Sequence, residues 1–206
     1  MSPAVKAVLF DFDGTLTLPG SLDFGAIRLA LGCPAGQPIL EYIETLRGRP
    51  AAHCEALAIL DGFEMDAAAK SFPNRDAEDA VRFLARRGLR LGILTRNSRR
   101  ALERAFRNFT RISLAAFESV LAREDVMRQK PHPEGVHLSA SRMRVKPAEM
   151  LVVGDYLFDI HAGRDAGAMT AFLDNGGAAV YPWPKPDYLI QRLGELESLF
   201  SSGHDT

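Results

Sequence analysis

Lys6-Ala-Val-Leu-Phe-Asp11-Phe-Asp13-Gly14-Thr15-Leu16-Thr17 is an apolar run that ends abruptly in two carboxylates, a glycine and a threonine. Residues 5–10 are nearly continuously apolar and include β-branched and aromatic side chains. That pattern suits a strand buried on both faces of a parallel sheet. Gly14 breaks the strand, and Leu18-Pro19-Gly20 reads as a turn. Asp11 and Asp13 are two positions apart, so an extended strand end turns both to one face.

Beyond this stretch the chain changes character twice. From Ser21 to about Asn74 no β-like run occurs. Ser21 or Asp23 can cap a helix through Leu31, ended by Gly32 and Pro34. A second amphipathic helix is expected over 38–47, stopped at Gly48. Pro50 opens a third to Leu60, and Gly62 separates it from a fourth at roughly 64–71. This is the pattern of a small all-helical insertion, residues 18–75, interrupting a fold made of 1–17 and 76–206.

After the insertion, strands alternate with helices. Expected strands are 89–94, 118–121, 150–153, 169–173 and 187–190; expected helices are 76–87, 98–109, 134–143, 157–166 and 191–200, with a disordered tail from Ser201. Alternation of this kind implies an α/β fold, a Rossmann-like parallel sheet with helices on both faces. Ligands of such sheets bind outside the carboxyl ends of the strands. Four polar clusters fall at or after strand ends: Asp11/Asp13, Thr95-Arg96-Asn97, Lys130, and Asp155/Asp159. The connectivity predicts that they converge.

Composition narrows the function classes. A chain of 206 residues with net charge -1 has no global field for nucleic acid or an anionic membrane. Many arginines cluster between Arg82 and Arg111, but that segment reads as two helices around a strand, so solvated helix faces are expected rather than a nucleic-acid stacking surface. The two cysteines, Cys33 and Cys54, fit neither a disulfide framework nor a metal site. The apolar run at the N-terminus is too short for a signal peptide, and none approaches a membrane span. A cytoplasmic protein is expected.

The polar clusters have a shared chemistry. Three or four gathered carboxylates repel, so some protonate or a hard cation holds them. Few ligands and an open site favour Mg²⁺ over Ca²⁺. Asp155 and Asp159 are four apart across a helix start and so can line the same side. Thr95 precedes a helix, where a hydroxyl and backbone N–H groups make an anion site. Lys130 can reach a phosphate oxygen as a point charge. A carboxylate beside a bound phosphate can attack phosphorus to give an aspartyl-phosphate. Each cluster alone has an ordinary structural reading as a turn, an N-cap or a surface loop. Their joint occurrence, in order and each at a strand end, favours a site.

These residues resemble the motifs of the haloacid dehalogenase-like phosphohydrolases. Asp11-Phe12-Asp13-Gly14-Thr15-Leu16 is similar to the first motif, Thr95 to the second, Lys130 to the third, and Gly154-Asp155 with Asp159 to the fourth. The resemblance implies that Asp11 is the nucleophile and Asp13 the general acid/base. It implies Mg²⁺ bound by the Asp11 carboxylate, the Asp13 backbone carbonyl and Asp155, supported by Asp159. Thr95 and Lys130 would hold the phosphate, with Arg96 and Asn97 beside them. The insertion looks like a C1-type cap of the phosphoglycolate phosphatase-like subfamily. The implied activity is Mg²⁺-dependent hydrolysis of a small phosphorylated metabolite. The alternatives are a sugar phosphomutase of the β-phosphoglucomutase type and a non-catalytic binding protein on the same fold. Leu18 and Pro19 replace an Asp-Ser pair common in relatives, the cap is short, and Gln129 stands where a small residue is common. Substrate choice should lie in the cap, where Arg47 and Arg49 at a helix–helix turn and His53 are candidates for substrate contact.

Overall fold

In a computed structural model, which describes residues 5–177 and 184–201, six strands form one sheet in the order β3-β2-β1-β4-β5-β6. They are β1 (Ala7–Phe10), β2 (Arg90–Leu94), β3 (Ser119–Leu121), β4 (Met150–Gly154), β5 (Met169–Leu173) and β6 (Tyr188–Ile190). Every pairing is parallel. All four residues of β1 are fully buried, which explains why its sequence is continuously apolar rather than alternating. Val8 and Phe10 join one apolar cluster, while Ala7 and Leu9 join a second on the opposite face.

Helices cover both faces. The first cluster is closed by α4 (Ala77–Arg86), α5 (Arg99–Phe106) and α8 (Leu196–Ser201). The second is closed by α6 (Glu134–Arg142) and α7 (Leu157–Asp165). Strand register then does the positioning. Phe10 lies beside Ile93 on one side and Val153 on the other. The residues just beyond these strand ends therefore leave the sheet at one edge. Phe12 extends the buried run past β1. Its ring stacks on Phe106 at 5.4 Å, and Phe106 stacks on Phe109 at 4.6 Å, so the loop carrying Asp13 is pinned to α5.

The insertion forms three helices: α1 (Phe24–Leu31), α2 (Ile39–Glu44) and α3 (Pro50–Lys70). Of the two expected caps it is Asp23 that serves, accepting from the Ala26 amide at 2.9 Å. Gly32, at φ 62, ends α1 in the left-handed conformation. The expected break at Gly62 does not occur. Gly62 lies exposed within one continuous 21-residue helix. A helical glycine costs about 1 kcal/mol, and α3 recovers more by packing at both ends. Ala56 and Leu60 belong to the insertion's own cluster with Ile27, Ile39, Leu40 and Ile43, whereas Ala68 packs into the sheet's first cluster. Where the three helices begin and end, the chain is joined by an antiparallel bridge between Thr17 and Pro73. The Leu18 amide donates to Phe72 O at 2.9 Å, and that of Asn74 to Leu16 O at 2.8 Å.

At the C-terminal end, the expected helix 191–200 is a short 3-10 turn, Leu193–Glu195, followed by α8. The expected tail beyond Ser201 lies outside the described residues. Among the described residues, no helix is long and apolar enough to cross a membrane. Cys33 is buried, Cys54 is exposed, and both are free thiols. Several residues of the arginine-rich stretch are paired locally: Arg90 with Glu118, Arg99 with Asp125, Arg111 with Asp79.

Candidate active site

The four polar clusters meet at the floor of one cavity of about 450 Å³, between the carboxyl edge of the sheet and the helical insertion. Asp11, Asp13, Thr95, Asn97, Lys130, Asp155 and Asp159 all line it. Asp11 follows β1, and its amide donates to Val153 O at 2.8 Å. Asp155 follows β4 directly. Asp159 sits in the first turn of α7 and accepts from the Tyr156 amide at 3.2 Å, capping the helix start.

Two glycines make the convergence possible. Gly14 has φ 76, a conformation that favours a residue without Cβ, and an added Cβ would lie 2.0 Å from Asp155 Oδ2. At Gly154 an added Cβ would lie 2.3 Å from Asp159 Cγ. The sequence motif thus holds glycine where two carboxylates press against backbone.

Lys130 is the electrostatic centre. Its side chain is buried; Nζ donates to Asp159 Oδ1 at 2.6 Å and to Asp11 Oδ1. Burial alone would lower its pKa, but the charges of Asp11 and Asp159 outweigh this and hold the ammonium above its usual range. Burial, reinforced by the charge of Asp11, pushes the Asp13 carboxyl up to about 7. Asn97 Nδ2 donates to Asp13 Oδ2 and opposes that rise. A carboxyl poised there can carry a proton at neutral pH. Thr95 is buried, and its hydroxyl accepts from the Asn97 amide at 3.1 Å, so the Thr95-Arg96-Asn97 turn presents a fixed backbone edge.

Asp11, Asp155 and Asp159 each offer an oxygen within 4.8 Å of the others and could hold a metal ion. Burial and the charges of neighbouring carboxylates raise the pKa of Asp155 and Asp159. One buried lysine does not balance three converging carboxylates. A hard, oxygen-seeking divalent cation fits this donor set and its charge imbalance. Thr15, a member of the first motif to which the sequence alone assigns no role, reaches Asp155 Oδ1 with its hydroxyl at 3.5 Å.

Four of the residues expected from the sequence to serve the site sit elsewhere or do other work. Arg96 lines the cavity, but its guanidinium is committed to other partners. Nη2 donates to both carboxylate oxygens of Glu41 in α2, at 2.9 and 2.7 Å, and Nη1 donates to Lys130 O at 2.9 Å. The group also lies over the Phe158 ring, 4.8 Å from its centroid. Arg96 therefore ties the insertion to the cavity floor. Arg47 is exposed and paired with Glu44. Arg49 is exposed at the start of α3. His53 is half-buried, 4.0 Å from Glu44. None of these last three is among the cavity-lining residues.

Glu64 is a site residue that the sequence does not reveal. It is buried in α3, lines the cavity, accepts from the Ser98 amide at 2.9 Å and pairs with Arg123. Arg123 also pairs with Asp61 one turn earlier. Nothing local marks these residues, since each partner lies far away in the chain. Asn74 and Asn175 are equally unmarked. Both donate through Nδ2 to Gly14 O, at 3.1 and 2.8 Å, steadying the turn after Asp13.

The comparisons with known proteins agree with this architecture. The sequence model of the haloacid dehalogenase-like hydrolases matches residues 5–167. The chain belongs to the haloacid dehalogenase-like hydrolase family, a family of enzymes. It is 34% identical to the uncharacterized hydrolase YOR131C of Saccharomyces cerevisiae, over 83% of this chain and 78% of that protein. It is 31% identical to the N-acetylmuramic acid 6-phosphate phosphatase of Pseudomonas aeruginosa, covering 93% of each chain. Among solved structures, CbbY from Rhodobacter sphaeroides in complex with phosphate superimposes with a TM-score of 0.71 at 23% identity, over 93% of this chain and 96% of that one.

Proposed function

We propose that the chain is a Mg²⁺-dependent phosphatase that hydrolyses a small phosphomonoester through an aspartyl-phosphate on Asp11. The observation that carries this reading is the convergence of Asp11, Asp13, Lys130, Asp155 and Asp159 on one cavity floor. The relative from Pseudomonas, named for phosphatase activity, supports the reaction class.

Asp11, the Asp13 backbone carbonyl and Asp155 would hold Mg²⁺, with Asp159 supporting them. When bound, the ion supplies charge neutralisation for an incoming phosphate among carboxylates. Thr95 and Lys130 hold the phosphoryl oxygens, with the Asn97 side chain beside them. A carboxylate oxygen of Asp11 forms a bond to phosphorus while the ester P–O bond breaks. Asp13 delivers its proton to the departing oxygen, so an alcohol leaves rather than an alkoxide. A water then attacks phosphorus and gives a proton to Asp13. The P–O bond to Asp11 breaks, releasing phosphate and restoring both carboxyl groups.

Phosphate release from a broad panel of phosphomonoesters, measured with Mg²⁺ and with chelator, tests the proposal. Mg²⁺-dependent release that disappears in Asp11→Asn is expected. Equal turnover by Asp11→Asn would refute the assignment of the nucleophile. The insertion acts as a cap on this reading, and residues 18–75 form the second domain.

A further inference from the structure

The wall of the cavity opposite its carboxylate floor is largely apolar, and each of its few charged groups has a partner within the protein. Ile27, Ile39, Leu40 and Leu60 form its buried part, and Leu22 and Phe24 continue it outward. Arg28 lines this wall, but its Nη1 donates to the carbonyl oxygens of Pro34 and Gln37 within the insertion. Arg96 is taken by Glu41, and Glu64 by Ser98 and Arg123. Among the cavity-lining residues of the insertion, Ser21 supplies the one hydroxyl side chain.

The mouth of the cavity continues this character. Of the nine large apolar side chains exposed on the described residues, Leu18, Phe24 and Tyr156 line it, at 42%, 58% and 54% exposure. Tyr156 meets Phe158 edge-on at 4.9 Å. Exposed apolar groups gathered at a pocket mouth mark a surface that a ligand covers. A hydroxyl-rich group placed here would trade water largely for aliphatic and aromatic carbon, with the Ser21 hydroxyl and the Tyr156 phenol at the mouth among the few side-chain groups to accept or donate. Each polar group left unpaired on burial is penalised.

We infer that the enzyme's substrates are phosphate monoesters of compact apolar alcohols, and that this wall selects them against polyhydroxylated sugar phosphates. The inference rests on the phosphatase reading above. It concerns the leaving group, whereas that reading concerns the phosphoryl group.

Cyclohexylmethyl phosphate and glucose 6-phosphate test it. Both esters leave from a primary carbon on a six-membered ring, and they differ chiefly in hydroxyl content. Acetyl phosphate, whose small acetate leaves without a proton from Asp13, reports phosphoryl transfer to Asp11 apart from the wall. With the full chain and Mg²⁺, kcat/KM should be at least tenfold higher for cyclohexylmethyl phosphate. In Leu18→Ser/Phe24→Ser that ratio should fall several-fold, because both positions are exposed and supply the mouth of the wall. Hydrolysis of acetyl phosphate together with equal or better use of glucose 6-phosphate would overturn the inference and leave the phosphatase reading standing. A ratio unchanged in the double variant would also overturn it. No hydrolysis of any of the three, nor of the broad phosphomonoester panel above, would remove the phosphatase reading and the inference with it.

Discussion

Replacing Gly14 with alanine should separate two costs that this turn combines. Gly14 and Gly167 have nearly the same positive φ, 76 and 78. An alanine Cβ at Gly167 meets nothing within 4 Å, whereas at Gly14 it would lie 2.0 Å from Asp155 Oδ2 and 2.7 Å from its Cγ. Gly167→Ala therefore measures backbone strain alone, about 1–2 kcal/mol. In a chain of this size that should lower Tm by roughly 2–8 °C. Gly14→Ala carries the same strain and also forces the Asp155 carboxylate back. It must move by about 1.4 Å to reach an ordinary contact, and a displacement near 1 Å in a positioned catalytic group costs on the order of 100-fold in rate. Steady-state phosphatase kinetics and a Mg²⁺ titration of both variants, beside their melting curves, read the difference. Gly167→Ala should keep near wild-type activity. Gly14→Ala should lose about 100-fold and need more Mg²⁺. Agreement of the two variants within threefold in rate and Mg²⁺ midpoint would refute the role of Gly14 in admitting Asp155.

Three further outcomes follow from the same contacts. Lys130→Met leaves Asp11 and Asp159 facing each other without their buried cation; melting without Mg²⁺ should show a loss of about 3 kcal/mol, partly restored by Mg²⁺, and an unchanged Tm would contradict the pairing. Glu41→Ala removes the bond by which the insertion holds Arg96. With Glu41 partly exposed, it should weaken closure by about 1 kcal/mol and raise KM roughly fivefold with little change in kcat; a drop confined to kcat would point instead to Arg96 touching the reacting phosphate. For Asp125, burial alone would raise the pKa, but the Ala122 amide and Arg99 hold it below its usual value. A depressed carboxylate stabilises the fold above its unfolded pKa and loses that effect as pH falls. The Tm gap between wild type and Asp125→Ala should thus be a few degrees near pH 7 and close below about pH 4, and a gap independent of pH would exclude the mechanism.

The legible and illegible parts of this protein divide along the range of the interactions that decide them. The strands are readable because burial on both faces leaves a local mark, a short apolar run closed by glycine or a polar residue. The cavity floor is readable for a related reason. In a parallel sheet each functional residue follows its own strand, so Asp11, Thr95 and Asp155 carry their address in the sequence beside them. Gly62 shows the opposite case. Its local propensity favours a helix break, but α3 is held from both ends by apolar clusters in different parts of the molecule, and that packing exceeds the cost of one exposed glycine.

Arg96 marks the same boundary at the site itself. Its neighbours in sequence place it on the cavity floor, and there it stands. What it binds is set by Glu41, which α2 brings across from the insertion. Arg47 is a reasonable candidate for the lid on sequence grounds, yet its carboxylate partner, Glu44, is one helical turn away. Glu64 is invisible in the sequence because its partners, Ser98 and Arg123, lie far along the chain. The sequence by itself determined the sheet, the order of its strands' functional ends and the residue types gathered there, because each depends on a few neighbouring residues. Only the tertiary structure decided which charges face the cavity and which are spent in holding it closed, because charge pairing acts through space and takes no account of separation along the chain.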